Sequence, residues 1–142
     1  MKSVLITGHS LTLEELVAVS RENAVVELSQ EAKDNILASR AVVDRLENIV
    51  FLELFKRYDG KVWVGKNYEK EIDFVCKNLD GTLDYYQVAE TAAGPETLAR
   101  ELSSIENTGD KYRKTLLTLD LIVTDESGVA KRNIVNWLCD NS

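Results

Sequence analysis

Between Ser29 and Gly60 the chain carries neither glycine nor proline. The stretch SQEAKDNILASRAVVDRLENIVFLELFKRYDG offers no stop signal for a helix until its final residue. Ile36, Val43, Leu46, Val50 and Leu54 fall near one face at helical spacing. Ser29 stands where a hydroxyl can cap the first free N–H groups, and Glu31 sits in the positive first turn. These features predict one helix from about residue 30 to 57, about 40 Å long at roughly 1.5 Å per residue. That is long for a small globular domain.

The flanking segments read as shorter elements. Upstream, Thr12 and Glu15 have capping-box spacing, and Leu13, Leu16 and Val17 trace one face of a helix over 11–22. AVVEL is a strand-like run. After Gly60 the pattern changes to strands. KVWVG is one; EIDFVCKN and LDYYQVAET are two more, joined around Asp80-Gly81. Gly94-Pro95 opens a helix with proline at its first position and Glu96 in its first turn. KTLLTLDLIV is a strand, DESG a turn, and VAKRNIVNWLCDN a short strand followed by a helical turn. This order predicts an α/β (α+β) fold. A mixed sheet is flanked by helices and preceded by an N-terminal helical segment and the long helix.

With 44% hydrophobic and 29% charged residues, the chain has the balance of a soluble globular protein. A net charge of −7 counts against a general nucleic-acid binder, which needs cationic surface to meet phosphates. Two local basic groups, Lys56, Arg57, Lys61 and Lys66, and Lys111, Arg113 and Lys114, are taken as solvated faces. Cys76 and Cys139 have no metal-ligand spacing, and Cys76 lies in an apolar strand as a buried thiol. His9, the one histidine, is assigned to the surface. Trp63 and Trp137 are core or rim aromatics. Tyr85 and Tyr86 point to opposite faces of a strand, so at least one should be packed. No signal peptide and no run of about 20 apolar residues is visible. The expectation is a cytoplasmic protein with no membrane partner.

Two resemblances meet within the long helix. From about Leu46 onward, "LEN…LEL", "VWVGK…EIDFV", "YYQVAET", "ETLAREL", "GDKYRKTLLTLD" and "NIVNWL" resemble the C-terminal domain of a family of prokaryotic AAA-type ATPases. That domain is of unknown function, and the resemblance implies a restriction-endonuclease-like fold. Residues 1 to about 45, with "ITGHSLTLEELVAVSRENAVVELSQEAKDNILASRAVVDRL", resemble the opening of the histidine and phenylalanine ammonia-lyase family. The Ala-Ser-Gly triplet that forms the lyase electrophile is absent, and so is a phosphate-binding G-x-x-x-x-G-K-[ST] loop. The resemblances imply two fragments, 1–45 and 46–142, joined near Asp44 to Glu47 with helical phase preserved.

The endonuclease-like resemblance implies a metal site. Its positions here are Glu53 on the long helix, Asp73 on the first hairpin strand and Gln87 on the second. Ala89 stands where that family of nucleases places a lysine. Such sites hold a divalent cation that activates water. Gln87 is neutral and Ala89 brings no cation, so the site is read as degenerate. Mg²⁺ or Mn²⁺ is the only cofactor in view, and only if Glu53, Asp73 and Gln87 still hold it. The hairpin leaves two registers open. A two-residue loop sets Asp73 opposite Val88. A three-residue loop, with Gly81 left-handed, sets it opposite Gln87 and is preferred on the resemblance. The expected function is a non-catalytic interaction or structural domain. The alternatives are a weak metal-dependent nuclease or phosphodiesterase, and a chimera with no evolved activity. The expected partner is a second copy, through the N-terminal helices, or another protein, rather than nucleic acid.

Overall fold

The structure, a computed structural model, describes residues 2–7 and 11–140. His9 lies outside the described residues. The chain forms two compact units, Met1–Ala41 and Val42–Ser142.

In the first unit, strand β1 (Ser3–Ile6) pairs in parallel with β2 (Val25–Leu28), from Ser3 opposite Val25 to Ile6 opposite Leu28. Helix α1 (Leu13–Arg21) connects them. The Thr12 hydroxyl accepts from the Glu15 N–H at 3.2 Å, and the Glu15 carboxylate accepts from the Thr12 N–H at 2.8 Å. Two otherwise orphaned donors of the first turn are thus satisfied, as the capping-box spacing predicts. Val4, Ala18 and Ala32 are buried. Leu13, Leu16 and Val17 are exposed, as are the valines and leucine of β2.

Helix α2 (Gln30–Arg57) begins in this unit and ends in the second. Its start is fixed by Ser29, whose Oγ accepts from the Ala32 N–H at 3.1 Å. Its end is marked by the left-handed pair Asp59 and Gly60. Both limits match those predicted from the sequence.

The second unit is built on a five-stranded mixed sheet in the order β3-β4-β5-β6-β7. Strands β3 (Val62–Asn67), β4 (Lys70–Lys77) and β5 (Leu83–Val88) form an antiparallel meander. Helix α3 (Pro95–Ile105) carries the chain to β6 (Arg113–Thr118), parallel to β5. Strand β7 (Ala130–Asn133) is parallel to β6 and runs into α4 (Ile134–Cys139). The sheet is covered on both faces. Val50 and Leu54 of α2 pack with Phe74, Cys76, Tyr86, Val88, Leu117 and Ile134. On the other face Leu102 and Ile105 of α3 pack with Ile72, Tyr85 and Leu116. Tyr85 and Tyr86 therefore join different cores, and both are buried. A strand with side chains buried on both faces is the usual state of the centre of a sheet layered by helices. The fold is the mixed α+β arrangement expected.

The hairpin adopts the three-residue loop. Phe74 pairs with Tyr86 and Lys77 with Leu83. The Asn78 N–H donates to the Thr82 carbonyl at 2.9 Å, leaving Leu79, Asp80 and Gly81 as the loop. Gly81 has φ +88, the left-handed conformation that suits glycine. Asp80 Oδ1 accepts the Thr82 N–H at 2.9 Å and stiffens the turn.

Three elements differ from expectation. SVLI forms β1, although four residues gave too little period to identify a strand. β6 ends at Thr118 rather than continuing through Val123. There Asp120 leaves the ladder to bind the Thr91 hydroxyl at 2.6 Å and the Ala92 N–H at 2.9 Å, so Leu121 and Ile122 run on exposed. The pairing of β3 with β4 also shifts between Trp63 and Gly65, a bulge beside Asp73.

Candidate functional site

The β4–β5 ladder ends at Phe74 opposite Tyr86, and side-chain hydrogen bonds bring the next two residues, Asp73 and Gln87, together. Asp73 Oδ2 accepts the Val88 N–H at 2.7 Å. Gln87 Oε1 accepts the Asp73 N–H at 3.4 Å. Each side chain thus serves the other strand's main chain next to the bulge. Buried backbone donors that lose ladder partners must be satisfied elsewhere, and these two side chains do it.

Glu53 does not join them. Its carboxylate accepts from Arg57 Nε at 2.7 Å and pairs with Lys56 at 3.0 Å. The hydrogen bonds from Arg57 and then Lys56 hold its carboxyl below the usual range. The acids that act on Asp73 are Glu47, Glu101 and Glu71. Glu47 and Glu53 are six residues apart on one helix, which places their directions about 120° apart around its axis. That rotation explains why Glu53 points elsewhere, and helical phase was the signal that could have selected Glu47. Ala89 is buried in the core under α3 and brings no charge. Among the described residues no three His, Cys, Asp or Glu side chains gather as a metal-holding group.

Burial pushes the Asp73 carboxyl up to about 7, against the Val88 hydrogen bond that lowers it, with Glu47, Glu101 and Glu71 raising it further. Glu47 is raised as well, by burial and then by Asp44, Glu71 and Glu101. Burial likewise lifts the Cys76 thiol to about 12, consistent with an unreactive core cysteine.

The basic groups are not simply solvated faces. Lys114 is buried, with Nζ 3.4 Å from Asp110 Oδ1 and 5.7 Å from the centre of the Tyr85 ring. Its aliphatic stem packs while its head finds a carboxylate. Arg57 lies over the Trp137 ring, 4.5 Å from its centre, and donates through Nη2 to the carbonyls of Trp137 and Asp140. Arg113 pairs with the buried carboxylate of Asp84 at 2.8 Å. Trp63 is a rim residue, half exposed on the edge strand β3.

Parts of the chain are similar to known proteins of two kinds. It is 50% identical over 54 residues to a histidine ammonia-lyase of Clostridium tetani, covering 36% of this chain and 10% of that protein. It is 49% identical over 45 residues to the histidine ammonia-lyase of Caldanaerobacter subterraneus, covering 32% of this chain and 9% of that one. It is also 40% identical over 96 residues to an uncharacterised protein of Haemophilus influenzae, covering 67% of this chain and 23% of that one. No family model and no solved structure matches the chain. The chain therefore spans less than a quarter of the length of these relatives, and what it shares with the lyases is a short segment.

Proposed function

We propose that the second unit is a non-catalytic interaction or structural domain, of restriction-endonuclease-like descent, in which the nuclease metal site has become a brace for the sheet. The observation that carries this reading is the mutual engagement of Asp73 and Gln87 with each other's strand, through the Val88 and Asp73 N–H groups. A divalent cation needs several oxygen donors, carboxylates above all. Here one carboxylate holds a backbone N–H, the second donor is a neutral amide, and Glu53 is engaged by Lys56 and Arg57. This donor set does not fit a catalytic Mg²⁺ or Mn²⁺, and no cation stands at Ala89 to stabilise a phosphorane-like transition state. Calorimetric titration with Mn²⁺ tests the reading on the wild type and on Asp73→Ala. No binding by either protein is expected. Binding that disappears in Asp73→Ala would overturn it and favour a weak metal-dependent phosphodiesterase.

A second reading concerns the first unit. Leu13, at 80% exposure, and Leu16 and Val17 form an apolar stripe on α1. The unit resembles a short opening segment of much longer lyases, and a stripe of this kind suits a second copy of the chain. Sedimentation velocity over a concentration series should show a dimer that Leu16→Glu shifts to monomer. A concentration-independent monomer in the wild type would sink the idea.

A further inference from the structure

The order β3-β4-β5-β6-β7 leaves two strands with an open side. β7 is four residues long, buries Lys131 and Asn133 and runs straight into α4. β3 is six residues long, and half of its residues are exposed. The Lys77 N–H donates to the Lys61 carbonyl at 3.1 Å. In an antiparallel ladder successive residues turn their main-chain groups alternately toward the partner strand and away from it. Lys61 and Trp63 therefore turn theirs to β4, and Val62 and Val64 turn theirs outward. Among the described residues no strand meets them. An unpaired row of this kind is a template for another strand.

Proteins blunt such edges with charge, and a blunted edge needs no aromatic residues. This one has them. Trp63 on β3 is 52% exposed, and Val64 beside it is exposed as well. Asn67 pairs with Lys70, which leaves Tyr68 and Glu69 as the turn into β4. Tyr68 is 88% exposed and stands at φ +55, a conformation costly for a bulky residue. On the α2 side Phe55 is exposed, its ring centre 5.7 Å from that of Phe51, which is in turn 6.1 Å from Phe74 on β4. Trp63, Phe55 and Tyr68 are the most exposed aromatics among the described residues. Aromatic side chains gathered on one surface mark the centres of binding interfaces. On the α3 side Trp63, Ile72, Val75 and Tyr85 line a groove of about 340 Å³.

The charge along this strip selects the occupant. Val75 packs with the α3 core, so Trp63 opposite it faces the same side. Lys61 and Lys77, each two residues along its strand from one of these, face that side as well. The two lysines stand directly opposite one another, and like charges so placed repel. Among the described residues neither ammonium, nor that of Lys66 further along β3, has a carboxylate within ion-pair distance. A second copy of β3 would add its own lysines to the strip, so self-pairing is disfavoured. A carboxylate on an incoming strand would instead relieve the repulsion between Lys61 and Lys77.

We propose that the outer edge of β3 docks an extended acidic segment of another protein, which adds a strand to the sheet, sets a carboxylate beside Lys61 and Lys77 and lays an apolar side chain against Trp63. This surface gives the interaction reading a partner but does not rest on the Asp73 brace, so peptide binding and the Mn²⁺ titration fail separately. The probe is the capped heptapeptide Thr-Glu-Thr-Leu-Thr-Glu-Thr, which puts Glu, Leu and Glu on one face in either strand direction. Added to the ¹⁵N-labelled full chain, it should shift the amide resonances of Val62, Val64 and Lys66 and saturate at millimolar concentration. The same peptide with lysine for glutamate should bind at least about tenfold more weakly. So should the acidic peptide with N-methylated threonines, whose amides face β3 when leucine lies at Trp63. Lys61→Glu/Lys77→Glu removes no ion pair and should exchange the preference, taking the lysine peptide over the acidic one with an unchanged circular dichroism spectrum. Equal binding of the two peptides by the wild type would overturn the proposal. So would shifts confined to residues away from β3, binding undiminished by threonine methylation, or no binding at millimolar peptide. Protection of the β3 amides that grows with protein concentration alone would overturn it as well, in favour of a second copy.

Discussion

Burial lifts the Asp73 carboxyl to about 7, so near neutrality the folded protein retains a proton there that the unfolded chain releases near pH 4. In the interval between those values the native state binds more protons, so stability falls as pH rises. The contribution is intact below about pH 4, erodes through neutrality and is level above it. Urea midpoints measured from pH 4 to 8 should show Asp73→Asn gaining on the wild type across that window, by on the order of 2 kcal/mol at its upper end. Asparagine keeps an acceptor for the Val88 N–H and removes the titration. A constant difference between the two proteins would mean that Asp73 is not the group responsible. The bulge beside it carries a second single-residue constraint. A Cβ on Gly65 would stand 2.5 Å from Val75 Cγ2 and 3.1 Å from Ile72 Cβ. Gly65→Ala should cost about 1–3 kcal/mol, and Val75→Ala in the same chain should return part of it.

At the scale of elements, α2 joins strong local signals to deep packing. Leu54, with no exposed surface, meets the sheet in the core with Val50 and Tyr86. Leu54→Ala should cost about 3 kcal/mol in urea unfolding, while loss of the Ser29 hydroxyl should cost about 1 kcal/mol. A reversed ranking would mean that capping, not packing, sustains the helix. The limits of α2 were legible because Ser29 and Gly60 punctuate an uninterrupted helical stretch. The hairpin was legible to within two registers because Asp-Gly permits both, and the choice between them came from a resemblance and not from the turn itself. β1 was illegible because its parallel partner is distant in sequence and its run is short. Glu53 was misplaced because the number of residues along a helix matters less than the angle they subtend.

At the scale of the molecule, the two units differ in what holds them. The second has two extensive cores on a five-stranded sheet. The first has a two-stranded sheet and, among the described residues, few buried apolar side chains. Two strands, one short helix and the first turns of α2 bury too little surface to be robust by themselves. A fragment spanning 42–142 should retain a cooperative thermal transition, whereas one spanning 1–41 should not, as circular dichroism melts would show. Loss of cooperativity in the larger fragment would mean that its sheet needs the segment before Val42.

The two cysteines give this molecule a built-in clock. Cys139 is exposed and Cys76 has no solvent-accessible surface, deep between α2 and the sheet. A thiol reagent should therefore report one equivalent at the mixing time and the second only as fast as the sheet parts from its helix. The lag between them is a direct reading of how often the heart of the protein comes open, obtained without a label, a denaturant or any change to the sequence.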